Sequence, residues 1–109
     1  MNQLDAIRVI GDALTDIDVT LGRLSPSSAE SIALMKERER LDAQQRQLVR
    51  LIFDEDTVAF QNAGERLKDI NNDLKKSIDN IQHSATLLAD VTKFVDAAAV
   101  LVSIAAKLV

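Results

Sequence analysis

From Phe60 to Val109 the chain places an apolar residue at every seventh position without a lapse: Phe60, Leu67, Leu74, Ile81, Leu88, Val95, Val102 and Val109. A companion position three residues on reads Ala63, Ile70, Ser77, Ser84, Val91, Ala98 and Ala105. Such a repeat is the seam of an α-helix packed against other helices, whereas a half-buried strand would alternate every second residue. No Pro falls in this run and no Gly follows Gly64, so nothing resets the phase. The pattern therefore favours one long helix over 57–109. About 50 residues at 1.5 Å each would extend on the order of 75 Å, and half of that length would overhang shorter neighbours. The competing layout breaks the segment near 79–84, where Ser77 and Ser84 weaken the seam and polar residues cluster. It gives four helices of similar length in a compact up-down bundle.

Upstream, Ile7, Ile10, Leu14, Ile17, Leu21 and Leu24 recur at spacings of three and four, which predicts a first helix over 3–24. It closes at Leu24-Ser25-Pro26, because proline disfavours helical geometry in the residue before it. A Ser three residues before Glu30 suits a capping box and starts a second helix over 27–53. That helix has apolar clusters at Ile32 to Met35 and Leu48 to Phe53, with only Leu41 and Ala43 apolar between Lys36 and Gln47, so its middle is weakly anchored. Asp54, Glu55, Asp56 and Thr57 then supply capping side chains for the next helix. The fold class is all-α: a single domain, 1–109, forming an antiparallel bundle of two shorter helices and one long one, or of four.

Composition agrees. The chain has one Pro, three Gly, three Phe and no Trp or Tyr, and its apolar share is mostly Leu, Ile, Val and Ala, a core suited to packed helices. Without Cys there is no disulfide, thiolate metal site or Cys nucleophile, which fits a reducing compartment. Met1-Asn2-Gln3-Leu4-Asp5 lacks the basic and apolar regions of a secretory signal, so a cytoplasmic location is expected, with non-classical export left open.

Several constellations point away from catalysis. Lys36 to Arg40, with Asp42, Arg46 and Arg50, mixes both signs and lacks interleaved aromatics, so it reads as a solvated face rather than a nucleic-acid site. The net charge of −4 also opposes phosphate backbones. Asp54, Glu55 and Asp56 lack the further oxygen ligands and the Gly of a calcium loop. His83 has Asp79 four residues before it, but nothing completes a metal or general-base set. No nucleophile and base pair or phosphate-cradling loop stands out, so no cofactor, no metal and no enzyme activity are expected. Ser77 and Ser84 occupy seam positions, where a hydroxyl can fix register or partner number.

The most telling segment is the last. From Ala85 onward the only ionisable side chains are Asp90, Lys93, Asp96 and Lys107, and from Ala97 to Val109 nearly every face is apolar. At about 25 cal/mol per Å², leaving it in water would forgo several kcal/mol, so the chain's own helices, further copies or a bilayer must cover it. The stretch from Lys93 to Lys107 reaches only about 20 Å and contains Asp96, which disfavours a simple transmembrane anchor. Leu88, Val91, Val95, Ala98, Leu101, Val102, Ala105 and Val109 are the expected contact surface. Length and helical-hairpin pattern resemble small secreted helical proteins with a Trp-x-Gly turn, although this chain has no Trp, and the apolar tail resembles in composition segments of helical pore-forming and phage lysis proteins. Neither resemblance transfers residue roles. The expected function is a noncatalytic structural or interaction protein acting by homo-oligomerisation or by packing on a partner's helix. The alternative is a membrane-active protein that releases its C-terminal helix at a bilayer.

Overall fold

The computed structural model describes residues 1–79 and 84–109, which form four α-helices and no strand among them. They are α1 (Gln3–Leu21), α2 (Ala29–Arg50), α3 (Val58–Asp79) and α4 (Ser84–Lys107). Of the two layouts open for 57–109, the four-helix bundle is the one formed. α3 and α4 lie side by side, which a single straight helix cannot do, and the molecule measures 42 × 22 × 17 Å. Its longest dimension matches one helix of about 25 residues rather than the roughly 75 Å of a continuous one. Folding back lets two apolar seams from the same stretch of sequence cover each other, so no half is left overhanging.

Local signals set the ends of the helices. Asn2 caps α1: its side chain accepts from the Asp5 amide at 2.7 Å while the Asp5 carboxylate accepts from the Asn2 amide at 3.2 Å. This reciprocal pair satisfies two of the four free amides that every helix start leaves. α1 stops at Leu21, before the expected Leu24, and Gly22 forms its C-cap. α2 also starts later than 27. The Ser28 amide donates to the Ser25 carbonyl at 3.0 Å and closes a turn around Pro26, so Ser28 is the first residue free to cap, accepting from Ser31 N at 3.1 Å. Glu30 consequently does not complete the expected capping box, which would have needed Ser27 as the cap. α2 ends at Arg50 rather than 53, where Leu51 turns extended. Thr57 caps α3 as its residue type suggested, its hydroxyl oxygen accepting from Phe60 N at 3.3 Å.

The helices form a ring of neighbours in which α1 packs on α2 and α3, and α4 packs on the same two. α1 is thus diagonal to α4, and α2 to α3. Gln3 reaches Leu48 and Arg38 reaches Asp18, so α1 and α2 are antiparallel. Gln61 bonds Met1, which places the starts of α1 and α3 at one end. Ser77 near the end of α3 donates to Asp90 near the start of α4, so these two are antiparallel as well. The result is two antiparallel hairpins laid side by side, with 51–57 crossing diagonally over one end. There Leu51 and Phe53 pack on the core and the Phe53 and Phe60 rings meet edge to face at 4.8 Å between centroids. That geometry adds to the burial itself.

The crossover is fastened by side-chain amides. Gln3 Nε2 donates to the carbonyls of Leu48 at 2.8 Å and Leu51 at 2.9 Å, supplying partners where α2 runs out of its own amides. Gln61 Nε2 donates to the carbonyls of Met1 and Glu55, each at 2.7 Å, and the Gln3 amide donates to the Glu55 carboxylate at 2.7 Å. Glu55, read in the sequence as part of a capping cluster, therefore also ties the crossover to α1.

Candidate interaction surfaces

The expected contact surface lies mostly inside the chain's own fold. Val91, Val95, Ala98, Leu101, Val102 and Ala105 are each no more than 1% exposed and belong to the core with Phe94 and Leu87. Leu88 is half-buried against that core, and only Val109, 77% exposed, remains open. The covering demanded by the apolar tail is supplied by α2 and α3. Burying each large side chain of this set stabilises the fold by about 1.5–3 kcal/mol, while the opposite face keeps Val100 and Ala106 exposed. The period of seven could not reveal this, because a seam packed on a neighbour in the same chain and one packed on another copy have the same spacing.

α2 behaves differently from the other helices. Its large apolar residues are Ile32, Leu34, Met35, Leu41, Leu48 and Val49. Leu34, Leu41 and Leu48, spaced by seven, are fully buried, while Ile32, Met35 and Val49 are 51%, 48% and 58% exposed. At 100° per residue these three fall within about 100° of one another, on one outward flank some 25 Å long. Glu39, Asp42 and Arg46 occupy the middle of that flank, leaving it apolar at both ends and charged between. Ile52, just beyond the helix, is 87% exposed. By contrast α3 and α4 expose only Val58 and Val100 among their large apolar residues. Leu4 and Val19 are the corresponding pair on α1.

The charge run predicted to be solvated is largely so, and it also joins helices. Arg38 clasps Asp18 of α1 through two guanidinium nitrogens, and Arg40 joins Glu37 at 2.8 Å and Asp96 of α4 at 3.0 Å. These contacts hold both guanidinium groups above their ordinary pKa, through hydrogen bonding to Asp18 and to Asp96 respectively. Arg46 meets Asp42 at 3.4 Å within α2. Every ion pair among the described residues thus involves α2. Asp16 on α1 is pushed up from the usual carboxylate value, chiefly by burial, with Asp12 and Asp79 adding to the effect and Lys75 opposing it.

The remaining candidates stay chemically sparse. An open groove of about 400 Å³ between α1 and α3 is lined by Met1, Asp5, Arg8, Val9, Asp12, Glu65 and Lys68, with charges of both signs. Among the described residues no three His, Cys, Asp or Glu side chains gather closely enough to hold a metal ion. Asp54 accepts from the Asp56 amide at 3.0 Å, as a capping turn does. His83 and Ile81 lie outside the described residues, as does the Ser84 side chain, whereas Ser77 is half-buried and bonded to Asp90. No helix among the described residues is long and apolar enough to cross a membrane. Comparison with protein-family models, with curated proteins and with solved structures finds no match to this chain.

Proposed function

We propose that this is a noncatalytic helical interaction protein that associates with a second copy of itself through the outer flank of α2. The observation that carries this reading is the outward placement of Ile32, Met35 and Val49 on the most polar of the four helices. Single exposed apolar side chains are ordinary, but three on one flank of a predominantly polar helix form a self-complementary pattern. Two copies of α2 related by a two-fold axis run antiparallel and bring the Ile32 and Met35 end of one onto the Val49 end of the other. An antiparallel register sets Glu39 of each copy near Arg46 of the other, and Arg46, paired with Asp42 in its own helix, offsets the approach of the two Asp42 side chains at the axis.

Sedimentation velocity over a concentration series up to about 1 mM tests the proposal, a range that reaches even weak dimers. The full chain is expected to pass from monomer to dimer. The Ile32→Glu, Met35→Glu, Val49→Glu variant is expected to remain a monomer with unchanged helicity. A wild-type chain that stays monomeric throughout, or a variant that associates as wild type does, refutes the reading. Leakage of dye from anionic vesicles on adding the wild-type chain would instead favour the membrane-active alternative.

A further inference from the structure

The chain contains two sulfur atoms, those of Met1 and Met35, and no Cys. The fold places them in unlike surroundings. Met1 is half-buried and held on α3: its ammonium group donates to Gln61 Oε1 and its carbonyl accepts from Gln61 Nε2, each at 2.7 Å. Its side chain lies over Gly64, with Cβ and Sδ each 3.0 Å from the position a Cβ would take there, so the sulfur is set against the α3 backbone. Met35 is 48% exposed on the outer flank of α2, in line with Ile32 and Val49. Ile32 and Glu39, one turn to either side of it, are exposed as well, so its thioether is open to a small solute.

An exposed thioether reacts with peroxides. A lone pair of the Met35 sulfur attacks one oxygen of hydrogen peroxide, the O–O bond breaks, and the departing hydroxide takes the proton of the S–OH group, giving the sulfoxide and water. Sulfur loses two electrons and the peroxide gains them. The product carries a strong hydrogen-bond acceptor where an apolar atom stood. In the monomer that oxygen faces water, so the fold is little affected. In the antiparallel pair, Met35 of each copy lies against the Val49 end of the other, and a valine side chain offers the oxygen no donor. An acceptor buried without a partner opposes association, and a two-fold axis imposes it twice. We infer that Met35 is a peroxide-sensitive modification site whose conversion to the sulfoxide releases the self-association of this chain. The oxidant acts on the monomer, where the sulfur is exposed, and holds the chain in that state until a sulfoxide reductase reverses the step. This regulation rests on self-association through the outer flank of α2.

Brief treatment with hydrogen peroxide at micromolar chain concentration, followed by chromatographic separation of the two singly oxidised chains, tests it. Peptide mass mapping is expected to show Met35 oxidised several times faster than Met1. Sedimentation velocity is expected to show the chain oxidised at Met35 associating at least about 30-fold more weakly than the untreated chain, with unchanged helicity. The chain oxidised at Met1 is expected to associate as the untreated one does. Raising the chain concentration into the range of the dimer is expected to slow the oxidation of Met35 and to leave that of Met1 unchanged. A chain oxidised at Met35 that associates as the untreated chain does overturns the inference, and so does equal weakening by oxidation at either Met. The untreated chain tells the two failures apart. If it stays monomeric at every concentration, self-association itself is refuted, whereas an untreated dimer that survives oxidation of Met35 refutes only the switch.

Discussion

Asn71 is 6% exposed on α3, and its side-chain oxygen is buried without a hydrogen-bond partner among the described residues. An orphaned buried acceptor costs about 1–3 kcal/mol, and Asn is also a poorer helix former than Ala by up to about 0.7 kcal/mol. Removing the amide leaves only a small void, so Asn71→Ala is expected to stabilise the fold by about 1 kcal/mol and raise Tm by roughly 4–8 °C. A lower melting temperature would mean that the oxygen has a partner worth more than its burial. Asp16 has the opposite environment to a paired carboxylate: its pKa is raised in the folded chain, mainly by burial. The folded state therefore binds its proton more tightly than the unfolded state, and stability is lost as pH rises from the ordinary Asp value of about 3.9 through the raised one. Asp16→Asn removes that loss. Its Tm should exceed wild type by a constant margin at neutral pH and converge with it in acid, below the ordinary value, as thermal melts across pH would show.

At the scale of elements, the sequence reveals which segments are helical more readily than where they end or what they face. The three-and-four spacing of Ile7, Ile10, Leu14, Ile17 and Leu21 identifies α1, and Leu34, Leu41 and Leu48 form the buried row of α2. The Asn2–Asp5 box departs from the usual Ser or Thr with Glu or Gln, although its two residues stand the same three apart. The Ser27–Glu30 spacing points to a cap one residue before the actual one, Ser28, because the turn closed by the Ser28 amide on the Ser25 carbonyl contains Ser27. Since Ser28 both caps α2 and donates to the Ser25 carbonyl at 2.8 Å, Ser28→Ala is expected to cost about 1 kcal/mol. Ser27→Ala should cost much less, and chemical denaturation of the two variants side by side would expose an error in the cap assignment. The split of 57–109 left only faint local signs, Ser77, Ser84 and the polar cluster near 79–84, which the unbroken seven-residue period outweighs. An uninterrupted seam records which residues are buried, and only the pairing of α3 with α4 determines by what.

For the whole molecule, the choice between a hairpin and a continuous helix determines both its dimensions and what it can contact. A continuous C-terminal helix would leave half its apolar length bare, whereas the observed bundle shelters most of that seam and leaves the outer flank of α2 as the surface we propose for association. α4 supplies the largest share of the core, and α2 contributes three leucines to it while carrying an exposed apolar flank. Solution scattering distinguishes the two shapes directly. The Cα radius of gyration is 14.0 Å. A continuous helix with the first two helices packed on one half would give about 20 Å, because its length of on the order of 75 Å dominates the mass distribution. Extrapolated to zero concentration, scattering is expected to give a value near the compact figure once the hydration layer is allowed for. If the curve rises with concentration, the increase should vanish in the Ile32→Glu, Met35→Glu, Val49→Glu variant, leaving the compact monomer. A dilute-limit radius near 20 Å would remove the bundle itself, and with it the assignment of α2 as the outer contact helix.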